Sequence, residues 1–456
     1  MRTQETDIAA VSARQWLPSL WLARLRRAHP DHHAIARGMV SVAFFVFLGK
    51  LAGAGKEMAV AYRYGVSAEV DAYNFVFNLL VLPVSVWFSV LSVVLVPLAA
   101  RIRQGAPAQL PRFRAELFGL SLAIGVGLAT AMALGVSWLV RCSWTGVPEL
   151  TRTLTLGIVP PLALLVPLGV LISLFSAWTL AAQRHVNTLY EGLPALAIIA
   201  ALVAFPGGVE PLVWGTVTGF AIQLASLALS LRQRGEIEMP RLRPTSPHWT
   251  PFWRGFGVML IGQAVISLTN IIDQFFAAHL GTGAIATLGY ATRILALLLG
   301  LGAMAIGRAT LPVFSAAHIK GPSHVRHLVR RWAGLMFVVG AIALTIGWWL
   351  APWAVALLFE RGAFTPANTS EVAHVLRYGL LQVPLYFAAS VMVAHVASQR
   401  NYSLLTVLGG VGLLVKTTFS ALFASRYGLP GLMLSTLFLY LANAALLFWH
   451  LGYAKR

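Results

Sequence analysis

GKLAGAGKEMAVAYRYGVSAEVD, residues Gly49 to Asp71, lies largely inside the first long apolar segment of the chain and carries Lys50, Lys56 and Glu57 there. A charge at the centre of a membrane helix costs about 2.5–3.5 kcal/mol on insertion scales. Three of them within eight residues therefore call for a compensating environment. Gly49, Gly53 and Gly55 loosen the same stretch, because glycine weakens a helix and lets other backbone approach. The stretch predicts a bent or broken helix lining a polar cavity rather than facing lipid. It is where a substrate is expected to be handled.

Working outward, the whole chain has the composition of a membrane protein. Its 456 residues are 58% hydrophobic and 11% charged, with a mean hydropathy of +0.75. A soluble domain carries about 25% charged residues, and apolar runs of about 18 residues or more read as spans. Such runs recur from end to end, so the chain is an all-α polytopic membrane protein. The net charge of +19 sits mostly in short loops, which answers to membrane orientation and anionic lipid rather than to nucleic acid. One cysteine, Cys142, makes no internal disulfide, and no CxxC or zinc spacing is present. Residues 1–33 read as a basic, largely disordered cytoplasmic tail without a signal peptide. His29, His32 and His33 around Asp31 belong to that solvated tail, and His318, His324 and His327 around Lys320 to a basic loop.

Twelve spans are expected, at about 36–62, 71–100, 115–140, 151–182, 189–206, 211–231, 252–279, 284–316, 330–358, 369–397, 402–424 and 429–452. Of the 34 Lys and Arg, 23 fall in the tails and loops of one side and 5 on the other, which places both termini in the cytoplasm. A polar, proline-rich linker at 232–251 divides an N-terminal lobe, 34–231, from a C-terminal lobe, 252–456. An offset of 216 residues aligns Glu57 with Asp273, Gly65 with Gly281, and Gln183–Arg184 with Gln399–Arg400. Pro97 and Pro312 match with one residue less. These matches predict a duplication into two six-helix lobes of the same orientation, with a site between them.

Six basic residues remain inside spans: Lys50, Lys56, Arg293, Arg308, Arg377 and Lys416. Glu57 and Asp273 share that interior, and Asp71 stands at a span end. Arg308 is close enough to a helix end to snorkel. A purely structural account would pair cations with acids, for example Lys56 with Asp273. The excess of cations favours an anionic substrate, since Lys and Arg pair with phosphate. No nucleotide-binding glycine loop, HExxH or GxSxG points to an enzyme.

The segment YGVSAEVDAYNFVF from Tyr64, the stretch YATRILALLLGLGAMAIGRATLP from Tyr290, and LFERGAFTPANT from Leu358 to Thr369 resemble the MviN/MurJ-like lipid II flippases. That family lies within the multidrug/oligosaccharidyl-lipid/polysaccharide exporter superfamily, and the resemblance covers about Ala34 to Tyr453. It implies two lobes forming a V around a cationic cavity for the diphosphate and sugars of an undecaprenyl-linked precursor. Lys50 and Lys56 stand where the family has first-span arginines, Glu57 where it has an acid, and Asp71 and Arg293 where it has theirs. The chain departs from the family in carrying lysine at those two positions, no arginine in the second span, Thr292 in place of an acid, and twelve expected spans against fourteen. The missing pair is associated with a groove for the lipid tail.

These readings converge on a flippase for a lipid-linked saccharide, lipid II or an exopolysaccharide precursor, in the bacterial inner membrane. It would work by alternating access, as a monomer among membrane lipids, with glycan-synthesis enzymes as possible neighbours. Lys50, Lys56, Arg293 and Lys416 are expected to hold the diphosphate. Glu57, Asp71 and Asp273 would tune the cavity or carry a coupling Na+ or H+, with membrane potential as another driving force and no cofactor. A small-molecule antiporter of the same superfamily and a scaffold for a glycan-synthesis complex stay open as alternatives.

Overall fold

The computed structural model describes residues 30–142, 146–182, 184, 189–317, 322–399 and 401–453. Among them the chain forms fourteen α-helices and one 3-10 turn. The first seven helices are α1 Pro30–Tyr64, α2 Ala68–Gly105, α3 Leu110–Arg141, α4 Glu149–Ala163, α5 Leu165–Ala181, α6 Leu193–Ala204 and α7 Glu210–Arg232. The second seven are α8 Trp249–Ala278, α9 Ala284–Ala317, α10 Pro322–Phe359, α11 Pro366–Leu380, α12 Val383–Ser398, α13 Tyr402–Tyr427 and α14 Leu429–Tyr453. Among the described residues, eight segments are long and apolar enough to cross a membrane, or nine if α11 and α12, bent by 42°, count as one. Residues 1–29 of the expected tail, the His318–Lys320 loop, Gln183 and Arg400 lie outside those described, as do the side chains of Pro30–His33, Arg308, Pro312 and His324, whereas the backbone of Pro30–His33 belongs to α1 and not to the tail.

Two expected spans are each written as two helices: α4 and α5 part only at Leu164 and still count as one span, while α11 and α12 are bent by 42°, and each interruption has the same cause. A proline ring clashes with the carbonyl four residues before it and offers no N–H. Pro167 falls four residues after Ala163, the last residue of α4, and Pro384 four residues after Leu380, the last of α11. The second break keeps its backbone satisfied from within, because Gln382 Nε2 donates to the Gly379 carbonyl at 2.8 Å.

The expectation for α1 needs the opposite correction. Gly49, Gly53 and Gly55 do not break it, and α1 runs as one helix of 35 residues. Gly49 instead serves a close contact. A Cβ built on Gly192, just before α6, would sit 3.4 Å from the Gly49 Cα, so two glycines let α1 and α6 meet backbone to backbone.

The packing of the first seven helices recurs seven helices later. In the first set α2 packs on α4 and α5, α3 on α4 and α5, α1 on α6, and α6 on α7. In the second, α9 packs on α11 and α12, α10 on α11 and α12, α8 on α13, and α13 on α14. The principal contacts between the sets run from α2 to α8 and α9 and from α1 to α10. The turns before α2 and α9 also correspond, with Gly65 at φ 56° and Gly281 at φ 109°.

Candidate functional site

One end of the seam between the two sets is tied shut by loop residues. The Asp71 carboxylate, at the start of α2, accepts the backbone N–H groups of Gly283 at 2.5 Å and Ala286 at 2.7 Å. It thereby caps the orphan donors at the start of α9, where the helix dipole also favours a negative charge. Tyr290 of α9 donates its hydroxyl to the Gly65 carbonyl at 3.0 Å, and the Ala363 N–H donates to the Tyr62 carbonyl at 2.8 Å. Both approaches need glycine: Gly65 and Gly362 have φ of 56° and 62°, and a Cβ on either would collide with the facing carbonyl, of Ala363 or Tyr62. Phe364 then packs edge-on to Tyr290 with ring centres 5.3 Å apart.

The seam is held again farther along α2. Trp87 packs edge-on against Phe256 of α8 at 5.4 Å, and the Arg241 N–H donates to the Ala115 carbonyl at 2.9 Å. The buried Glu116 carboxylate accepts from the Thr245 hydroxyl at 2.6 Å, the Ser246 N–H at 3.0 Å and Trp249 Nε1 at 2.7 Å. The linker is thus docked on α3 rather than hanging between the sets.

A cavity of about 390 Å³ lies within the seam, lined among others by Asn74, Asn78 and Ser85 of α2, Asp273 and Gln274 of α8, and Arg293 of α9. At its edge is a charge cluster. Glu57 of α1 forms ion pairs with Lys56 Nζ at 2.6 Å through one oxygen and with Arg293 Nη1 at 2.5 Å through the other. Arg293 also donates Nη2 to Asn74 Oδ1 at 3.0 Å. That bond fixes the orientation of the Asn74 amide, leaving its buried Nδ2 without a partner. Two cations on one carboxylate leave a net positive charge beside a polar space. The Arg293 side chain keeps 30% of its surface accessible.

Lys416 is placed differently. It is 1% exposed and bonds Asp273 Oδ1 at 2.6 Å, the Leu432 carbonyl at 3.0 Å and the Thr436 hydroxyl. The expected pairing of Lys56 with Asp273 is therefore corrected: Lys56 takes Glu57, its neighbour on α1, and Asp273 takes Lys416 of α13. Lys50 stands apart from both clusters. It is exposed on α1, within electrostatic reach of Glu191 before α6. Arg377 is spent on structure, donating Nε to the Trp348 carbonyl at 3.0 Å and lying over the Trp348 ring.

The lipid II flippase MurJ family model matches residues 60–456. The chain belongs to the MurJ family. Its sequence is 31% identical to a probable lipid II flippase MurJ of Bdellovibrio bacteriovorus over 243 residues, 52% of this chain and 46% of that protein. It is 26% identical to the lipid II flippase MurJ of Burkholderia cenocepacia over 442 residues, 92% of this chain and 84% of that one. The fold is similar to a solved MurJ in an inward closed conformation, with a TM-score of 0.79 at 17% identity over 91% of this chain and 87% of the other. It is also similar to an inward-facing multidrug resistance MATE transporter of the MOP superfamily, with a TM-score of 0.73 at 16% identity over 89% and 94% of the two chains. This chain is accordingly a multi-pass membrane protein of a transporter family.

Within the MurJ frame, sequence reasoning missed Asn74, Gly283 and Tyr290. Asn74 had a legible signal: it is a polar residue three positions after Asp71, on the same face of α2. Gly283 and Tyr290 act through contacts more than two hundred residues away, and no local pattern marks them. LFERGAFTPANT also finds its reason here. It supplies Gly362 and Phe364 to the closed end and the Thr365–Asn368 capping box that starts α11.

Proposed function

We propose that this chain moves a polyprenyl-diphosphate-linked saccharide, with lipid II as the leading substrate, across the bacterial inner membrane by alternating access. The observation that carries the proposal is the Lys56–Glu57–Arg293 cluster beside the cavity between the two sets of helices. A diphosphate leaving water needs compensating positive charge. Glu57 acts as a stand-in anion that keeps Lys56 and Arg293 in place while the site is empty. The diphosphate displaces it, and the free Asn74 Nδ2 adds a neutral donor. Because Arg293 and Glu57 belong to different sets of helices, this exchange breaks an ion pair across the seam and so links binding to reopening.

The recurrent packing supports two lobes, 34–231 and 252–456, joined by the docked linker. The distribution of Lys and Arg supports cytoplasmic termini, so the end closed by Asp71, Gly65 and Ala363 faces the periplasm. The chain acts as a transporter without chemistry of its own. Membrane potential is a sufficient bias, since one charge moved across 100 mV is worth about 2.3 kcal/mol.

The lysine at position 56 favours a second substrate within the same class. Lysine is a point charge without arginine's bidentate fork, and Thr292 spends its hydroxyl on the Leu288 carbonyl of its own helix at 2.8 Å. An exopolysaccharide precursor shares the diphosphate and differs only in its sugars. Expression in one host depleted of its lipid II flippase and in another lacking an exopolysaccharide flippase tests the two. Growth of the first supports lipid II, restored polymer in the second supports the alternative, and neither response contradicts the proposal.

A further inference from the structure

The second large space in the molecule lies wholly within the second set of helices. It is a cavity of about 1000 Å³ walled by α8, α9, α12, α13 and α14, and the Asp273–Lys416 pair lies in its wall. Its other lining is mostly Ala, Val, Leu and Gly, so a lone carboxylate there would be strongly disfavoured. Asp273 is tolerated because Lys416 meets it.

The ligand set around the Lys416 ammonium is informative. An ammonium has three N–H donors. Here three oxygens receive them: a carboxylate from α8, and the Leu432 carbonyl and Thr436 hydroxyl from α14. Ser435 and Thr436 both donate to that carbonyl as well, at 2.6 and 3.2 Å, and so help fix it in place. A carboxylate, a carbonyl and a hydroxyl converging on one point form the hard oxygen environment that suits a small hard cation. The lysine stem enters from α13, so the charge is delivered by the chain itself. All three donors are used and the side chain is 1% exposed, which leaves nothing with which Lys416 could grip a phosphate.

We propose that Lys416 is a tethered cation: its ammonium fills an oxygen-lined site shared by α8 and α14 that a dissolved monovalent cation would otherwise occupy. Three helices are thereby clamped without an exchangeable ion. Asp273 is then a fixed counter-charge, unavailable as a carrier of Na+, and the second set of helices is locked against alkali-ion control at this point. The assignment stands apart from which saccharide is carried.

The test is thermal unfolding of the purified full chain in detergent, in choline chloride and in NaCl, LiCl or KCl at equal ionic strength. The wild type is expected to melt at the same temperature in all four salts. Lys416→Ala is expected to melt at least about 5 °C lower in choline, since it strands a carboxylate in a mostly apolar cavity wall. One of the alkali salts should restore it in a dose-dependent way, because a ligand bound only by the folded state raises stability. Lys416→Ala with Asp273→Asn should melt near the wild type and ignore the salts. An alkali-dependent rise in the wild type overturns the proposal. So does a Lys416→Ala protein that is unaffected in choline, or one that no alkali cation restores. If Lys416→Ala cannot be purified, the double variant decides: sensitivity to alkali salt in that protein contradicts the assignment.

Discussion

Arg293 Nη1 of α9 lies 2.5 Å from the Glu57 carboxylate of α1, joining helices from opposite sides of the central seam. Lys56 holds the other oxygen of the same carboxylate. Because Glu57 neutralises the cations that would receive a diphosphate, it competes with substrate. Glu57→Gln keeps the shape and removes the charge. It should bind a short-chain polyprenyl diphosphate roughly tenfold more tightly, about 1.4 kcal/mol, and release it too slowly to support transport. Titration calorimetry with the purified protein checks the first part, and unchanged or weaker binding would count against a stand-in role.

The pairing found for Lys56 makes a genetic forecast. Lys56→Ala combined with Asp273→Ala should be no better than either change alone, because the two residues belong to different ion pairs. Lys56→Arg should retain function, since charge and reach are kept. Growth of a flippase-depleted host at matched protein levels is the readout. Recovery in the Lys56/Asp273 double variant would show that the observed pairs are not those that matter.

Asp71 offers a test of the closed end. Its carboxylate accepts two backbone N–H groups of the opposite set, and a hydrogen bond to a charged group is worth about 1.5–3 kcal/mol. Asp71→Ala should therefore raise the fraction of molecules open at that end by tenfold or more. A cysteine at Val66, which packs against Gly283, should react correspondingly faster with a maleimide in a Cys142→Ser background. An unchanged labelling rate would remove Asp71 from the gate.

Much of this architecture is legible in the sequence because membrane helices announce themselves by composition. The interior charges were also legible, since each had to be explained against the cost of burying it. The partner of each charge was not. Lys56 lies beside Glu57 in sequence, but nothing local says that Arg293, more than two hundred residues on, takes the second oxygen. Lys416 illustrates the same limit. Its depth in a span marked it as unusual, yet only folding shows its three donors already used by Asp273, Leu432 and Thr436. The breaks near Leu164 and Leu381 were foreshadowed by Pro167 and Pro384. Such prolines do not by themselves mark a break, because many spans tolerate them. The glycines of α1 misled in the other direction: they do not break the helix, and Gly49 serves contact with Gly192 while Gly53 faces open space.

Orientation has its own check. Ala363 is exposed in the loop that closes the Gly65 end. In intact cells carrying Cys142→Ser, a cysteine at Ala363 should react with a membrane-impermeant maleimide. Reaction only after permeabilisation would invert the orientation proposed here.

The central claim is that Lys56 and Arg293 hold the diphosphate of the carried lipid. Its most direct measurement is the appearance of the lipid-linked precursor on the outer face of the inner membrane, assayed in spheroplasts depleted of the host flippase. The wild-type chain should restore that appearance. Lys56→Ala and Arg293→Ala should each abolish it, with normal abundance and insertion, and Arg293→Lys should be markedly slower, since only arginine clamps a phosphate bidentately. Full translocation by both alanine variants at wild-type abundance would contradict the account.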